Sequence, residues 1–244
     1  EGRALGSPRR EVKVLLEEGR LRGVEEGDGE PGLGWESALG RGFSMGAWHP
    51  DSCLFLGGGT GTLPRLFHQN HPLAEIRIED RSGELVTLAR AHFAEWKGWE
   101  TATLAIREPL TGPTGGGGSY ALVVVDCSAL PRLGRVPFLR DSDWVRLART
   151  VKDGGALVLG GIYHPYGSSD LALAELARRG GAHFSRAYLL LAETGGLTRE
   201  LLPEVDGEEE AVLLFSKDGG PDPGSVVPGF SVSQGGDLPG PEDD

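Results

Sequence analysis

Apolar positions recur along this chain with two alternating periods, and the switches between them predict the element order. Residues 12–25, VKVLLEEGRLRGVE, alternate as a β-hairpin with Glu18-Gly19 at its turn. CLFL, from Cys53, is a short continuous apolar run that ends in glycines, and LPRLFHQNH then sets Leu63, Leu66 and Phe67 at helical spacing. EIRIED, residues 75–80, alternates as a strand. GELVTLARAHFAEW, residues 83–96, puts Leu85, Leu88, Ala89, His92 and Phe93 on one helical face. TATLAIRE (101–108) reads as a strand, and YALVVVDCS (120–128) as a strand covered on both faces. DSDWVRLARTVKDGG (141–155) predicts a helix capped by Asp or Ser and stopped by glycine. The strand ALVLGGIY and the helix LALAELARRGG (171–181) follow, and two strands close the pattern, HFSRAYLLLAET (183–194) and EEAVLLFSKD (209–218).

Strands alternating with helices in this order predict a doubly wound α/β sheet. The last two strands have only the loop-like GGLTRELLPEVDGEE between them, so they are expected to pair antiparallel. GDGEPGLG (27–34) and GPTGGGG (112–118) read as loops. Three regions result: an N-terminal hairpin and loop (1–34), a large α/β domain (35–216) and a tail (217–244). The tail is rich in Gly, Pro and acids and is expected to be flexible, because it offers little apolar surface to offset ordering.

Charge narrows the function classes. Against 24 Lys and Arg stand 36 Asp and Glu, a net charge of −12, which excludes a general nucleic-acid binder. No apolar run reaches the length of a membrane span. Cys53 and Cys127 are too few for a disulfide framework and read as buried thiols, in keeping with a cytoplasmic setting. The six histidines show no metal-ligand spacing, so no metal is expected. A nucleophile elbow and a phosphate-loop lysine are both missing, which leaves acyl transfer and triphosphate hydrolysis without support.

Three places carry candidate chemistry. Gly57, Gly59 and Gly61 form a GxGxG between a buried strand and a helix, where a ligand can lie against backbone; a plain packing turn is the alternative. Glu79-Asp80 ends the next strand about 20 residues on. An acid there can accept both ribose hydroxyls of a nucleoside; Asp80 is the first choice and Glu79 the second, since alternation sends them to opposite faces. Asp126 ends the central apolar strand, where it can orient an amine or take its proton, or else merely cap the next loop. Tyr163, His164 and Tyr166 follow a strand end on the same side and are candidates to line a substrate pocket.

With these residues in view, the stretch LFLGGGTGTLPRLFHQNHPLAEIRIEDRSGELVTLARAHF resembles the spermidine synthase-like class of S-adenosylmethionine-dependent methyltransferase-fold proteins. The resemblance covers roughly residues 35–161. It implies a Rossmann-like, seven-stranded sheet of class I methyltransferase type preceded by a small β-hairpin element. It places the cofactor-binding glycines on Gly57, Gly59 and Gly61, the ribose acid on Asp80, the adenine contact on Glu108 and the catalytic acid on Asp126. Departures accompany the matches. Ala129 stands where the aminopropyltransferases carry a second Asp, and Trp35-Glu36 where they carry a Tyr-His pair; Arg107-Glu108-Pro109 replaces their Asp-Ala.

Three functions follow as expectations. The main one is group transfer from S-adenosylmethionine, a methyl group on an unidentified small-molecule or amine acceptor. The second is aminopropyl transfer from decarboxylated S-adenosylmethionine, and the third a non-catalytic binding or scaffold protein with a degenerate cofactor cleft. The resemblance also implies a homodimer.

Overall fold

The computed structural model describes residues 12–17, 20–27, 30–46, 48–93, 102–106, 118–130, 132–133, 136–165, 171–193, 208–226 and 231–234. The two strands of the N-terminal hairpin pair as read, β1 (Val12–Glu17) antiparallel with β2 (Arg20–Glu26) and Glu17 opposite Arg20, while the expected turn at Glu18-Gly19 lies outside the described residues. A short third strand, β3 (Glu30–Pro31), joins β2 from within the stretch read as loop.

The main sheet is built from β4 (Ser52–Leu56), β5 (Glu75–Asp80), β6 (Thr103–Ile106), β7 (Tyr120–Asp126), β10 (Val151–Pro165), β11 (Arg186–Glu193) and β12 (Glu208–Ser216). Their order is β6-β5-β4-β7-β10-β12-β11. All neighbours are parallel except β12, which runs antiparallel to both β10 and β11. Two-residue strands β8 (Arg132–Leu133) and β9 (Val136–Pro137) form a separate ladder. Strand order reverses between β4 and β7, so the crevice beyond their carboxyl ends is the place where such sheets bind ligands.

Alternation within the strands explains the layering. Leu122 and Val124 of β7 face a cluster with Trp35, Leu39 and Phe43 of α1 (Gly34–Met45) and Leu63 and Phe67 of α2 (Thr62–Asn70). Val123 and Val125 face the opposite cluster, with Trp144 and Leu147 of α4 (Asp141–Thr150) and Leu173 and Leu176 of α5 (Leu171–Gly181). Cys53 and Cys127 are buried free thiols in these two layers. Leu15 of β1 packs on Leu85 and Ala89 of α3 (Gly83–His92), which ties the hairpin to the domain.

Several elements differ from expectation. α1 falls where no element is predicted. On α3 the buried stripe is Leu85, Val86 and Ala89, while Leu88 and His92 are exposed, because the helix touches the body along a narrow line. α4 stops at Thr150, since Val151 already pairs with Tyr120 as the start of β10; its cap is Arg140, whose N–H donates to Asp143 Oδ2 at 2.9 Å. The expected flexible tail is partly built into the fold. Lys217 Nζ donates to the Val151 carbonyl at 2.6 Å, and Val226 of α6 (Pro223–Val226) is buried in the α1 layer. β13 (Ser231–Gln234) then pairs antiparallel with the outer edge of β11, which extends the expected seven-stranded sheet to eight strands. One apolar anchor and an open strand edge hold a segment that composition alone reads as loose. No helix among the described residues is long and apolar enough to cross a membrane.

His71, at the end of α2, is buried against Phe67 and Phe43, ring centroids 4.8 and 6.3 Å away, with His49 at 5.6 Å. Burial, helped by His49, lowers its pKa. A folded-state pKa below the unfolded value adds stability above about pH 6.5 that is lost as pH falls through that range. Folding stability is therefore expected to drop between about pH 7 and pH 5, by at most about 1.4 kcal/mol per pH unit from this group. His71→Phe should flatten that limb in urea titrations; an unchanged limb rejects the assignment.

Candidate functional site

β4 delivers the chain into a loop at the switch point. Gly57 N–H donates to the Glu79 carbonyl at 2.8 Å, extending the ladder by one bond. Gly57, Gly59 and Gly61 then take φ of 92°, 52° and 83°, a left-handed region that side chains resist, which is why glycine alternates here. Gly61 caps α2, and Thr60 Oγ1 accepts the Thr62 N–H at 3.3 Å.

Asp80 is the carboxylate that meets this loop. Its Oδ2 accepts the Gly58 N–H at 2.8 Å and its Oδ1 the Ser82 N–H at 3.1 Å. Glu79 turns the other way and accepts from Arg77 Nε at 2.8 Å. Asp126, at the end of β7, accepts the Ser128 N–H through Oδ1 at 2.9 Å. Burial raises its pKa; the Arg22 guanidinium and the Ser128 bond pull it back, and Asp80 pushes it up again. Glu108 and Tyr166 lie outside the described residues, as do the side chains of Tyr163 and His164.

Asp80 and Asp126 are brought together by a residue that no local motif marks. Arg22 of β2 reaches into the crevice, its Nη2 3.5 Å from Asp80 Oδ2 and 3.8 Å from Asp126 Oδ2. Gly23 beside it lies so close to the glycine loop that a β-carbon there would stand 2.7 Å from Thr60 Cγ2. Glu25, two residues on, accepts from Thr62 Oγ1 at 3.5 Å, at the first turn of α2.

Two further carboxylates gather from elements distant in sequence. Glu36, on the first turn of α1, is buried; burial, then repulsion from Asp126 and Glu210, raises its pKa well above the usual carboxylate range. Glu210 of β12 is buried and accepts the Gly34 N–H at 3.4 Å, at the start of the same helix. The spacing of Trp35, Ala38, Leu39 and Phe43 is a local signal of α1 that Gly40 and Gly42 dilute, and nothing in the EEE run before β12 singles out Glu210 from its neighbours. Because the folded-state pKa of Glu36 is raised, its contribution to stability is greatest at low pH and is lost as pH rises through that pKa. Glu36→Gln removes the charge at nearly constant shape. It is expected to gain roughly 1–3 kcal/mol over the wild type at about pH 8, shrinking toward zero near about pH 4. Urea unfolding at the two pH values reads the difference, and a variant less stable at both contradicts it.

The double glycine of β10 makes this gathering possible. Pairing with β12 shifts register between Leu159 and Ile162, and a β-carbon on Gly160 would overlap the Trp35 ring. Gly160→Ala is expected to cost about 1–3 kcal/mol by overpacking. A thermal melt showing no loss would mean that α1 shifts freely. Trp35→Leu in the same chain should recover part of the loss.

No protein-family model matches the sequence, and a comparison with curated proteins finds no sequence match. Solved structures do match. A probable spermidine synthase from Corynebacterium glutamicum aligns at a TM-score of 0.57 and 17% identity, over 86% of this chain and 77% of that one. Spermidine synthase from Thermotoga maritima aligns at 0.59 and 14%, over 91% and 73%. A spermidine synthase in complex with the transition-state analogue AdoDATO aligns at 0.55 and 13%, over 75% and 59%. At such identities the likeness speaks for architecture, and with the strand order above it shows that this chain has the methyltransferase-like α/β fold that spermidine synthases share.

Proposed function

We propose that the chain transfers a group from an S-adenosyl-type donor, and that aminopropyl transfer from decarboxylated S-adenosylmethionine to an amine is the transfer its site supports best. One observation carries this reading: Asp126, Glu36 and Glu210, all buried, interact electrostatically beside the glycine loop at the sheet's switch point. Such a field favours a cationic acceptor over an anionic or neutral one. The spermidine synthase structures, one of them with AdoDATO, support the same choice over methyl transfer.

The residues fit an adenosyl group. The loop of Gly57, Gly59 and Gly61 offers backbone with no β-carbons in the way, and Asp80 ends the neighbouring strand. β2 lies across that place, so the fit holds for a cradle from which β2 has moved. The donor supplies an electrophilic carbon on a sulfonium. Asp126 accepts an N–H of the amine, fixes its nitrogen and takes its proton; a pKa raised by burial makes it a stronger base than an exposed carboxylate. Glu36, held toward its neutral form, limits the total negative charge the pocket must carry.

Non-catalytic binding is a second reading, and a specific feature favours it: Arg22 and Glu25 already engage Asp80, Asp126 and Thr62 from within the chain. Calorimetric titration separates the readings. Tightest binding of the decarboxylated donor and methylthioadenosine is expected for aminopropyl transfer. A preference for S-adenosylmethionine and S-adenosylhomocysteine would instead restore methyl transfer, and no binding of any of the four would leave the scaffold reading.

A further inference from the structure

Among the described residues, the N-terminal sheet is hydrogen-bonded strand to strand only within itself and forms no ladder with the main sheet. Yet β2 puts matching groups on three parts of the crevice. The Arg22 guanidinium lies 3.5 Å from Asp80 and 3.8 Å from Asp126, and it is almost completely buried. The Glu25 carboxylate sits at the start of α2, where helix N–H groups favour an anion. The backbone between them presses on the loop: Gly23 has room for no side chain against Thr60, and a β-carbon on Gly59 would stand 2.9 Å from the Arg22 carbonyl oxygen. A nucleoside held by Asp80 and laid along the glycine loop would need the same carboxylate and the same backbone surface.

We propose that β2 is an autoinhibitory plug, with Arg22 and the donor competing for Asp80, so that the donor enters only when the N-terminal sheet lifts from the glycine loop. This rests on the donor reading above. The chain's own cation substitutes for the ligand and keeps two buried carboxylates compensated while the site is empty of donor. Ligand affinity is then the intrinsic affinity of the open cradle reduced by the fraction of molecules that are open. Whatever lifts the sheet, such as a partner that takes hold of the hairpin, activates the site without touching it. Lys13 of β1, paired with Glu25 at 3.2 Å, links the outer strand to the plug.

The test uses methylthioadenosine, whose sulfur is uncharged, so that loss of the Arg22 charge cannot by itself tighten binding. Wild type, Arg22→Met and Gly23→Ala are titrated by calorimetry, and amide hydrogen exchange is followed across Arg20–Glu26 with and without ligand. Gly23→Ala keeps Arg22 and pries β2 from Thr60, which preserves the test if the Met variant fails to fold. Affinity about tenfold or more tighter in the variants, with ligand-induced loss of β2 protection in the wild type, is the expected result. Equal or weaker binding in both variants, with β2 protection unaltered by ligand, overturns the plug and leaves the donor reading standing. Failure of all three proteins to bind overturns both.

Discussion

Arg22→Met is expected to lower folding stability by about 3–5 kcal/mol near neutral pH, the usual consequence of removing one partner from a buried charge pair. The guanidinium is within 3.5 Å of Asp80 and 3.8 Å of Asp126, and all three side chains are almost completely buried. Asp80 retains the N–H groups of Gly58 and Ser82, and Asp126 that of Ser128, so neither carboxylate is stripped bare. What they lose is the positive charge that both acids face in one pocket. Burial already raises the Asp126 pKa against the pull of Arg22, so deleting Arg22 raises it further. A carboxylate with a raised folded-state pKa adds stability below its unfolded value and loses it as pH rises. The deficit of the variant should therefore be largest above about pH 7 and narrow toward about pH 4, as Asp126 takes its proton. Urea unfolding of the two proteins across that range reads it. Adding Asp80→Asn should recover part of the loss, because the two sites share one contact. A deficit below about 1 kcal/mol, or one independent of pH, would show that Arg22 is a spectator packed by chance.

Much of this fold was legible because both faces of its sheet are covered. LFL before the glycines and ALVVV before Asp126 leave no polar position to mislead, and the strand order follows from their alternation with helices. The glycine loop and Asp80 were legible because a left-handed turn demands glycine and a strand end demands a polar residue. α1 was not, because Gly40 and Gly42 dilute its helical signal; the structure uses Gly40 for close approach to Leu66 of α2, a tertiary reason that no local pattern contains. The same holds for the plug. Nothing in RLRGVEE marks Arg22 as anything but a hairpin arginine, since its partners lie 58 and 104 residues away. Glu36 and Glu210 escaped for this reason too: each is an ordinary surface acid until α1 and β12 are set side by side.

On the aminopropyl-transfer reading proposed above, Asp126→Asn is expected to cut turnover by about 10²–10⁴ while leaving methylthioadenosine affinity within about threefold. The geometry explains the division. Oδ1 of Asp126 accepts the Ser128 N–H and shapes the turn after β7; an asparagine carbonyl keeps that bond. Oδ2 points toward Arg22 and the crevice, and is the atom left to receive a proton from an attacking amine once β2 has moved. Asparagine can orient the amine but cannot take its proton, so the loss falls on kcat rather than on donor binding. The pH profile adds a readout that a structural role would not move. A base must be ionised to act, so kcat/KM of the wild type should climb with pH through the pKa of Asp126, which burial places above that of an exposed carboxylate. That limb should be missing in the variant. Turnover above a tenth of the wild-type rate with the limb intact would move the base elsewhere, and Glu36, which shares the pocket with Asp126 and Glu210, would be the next group to replace.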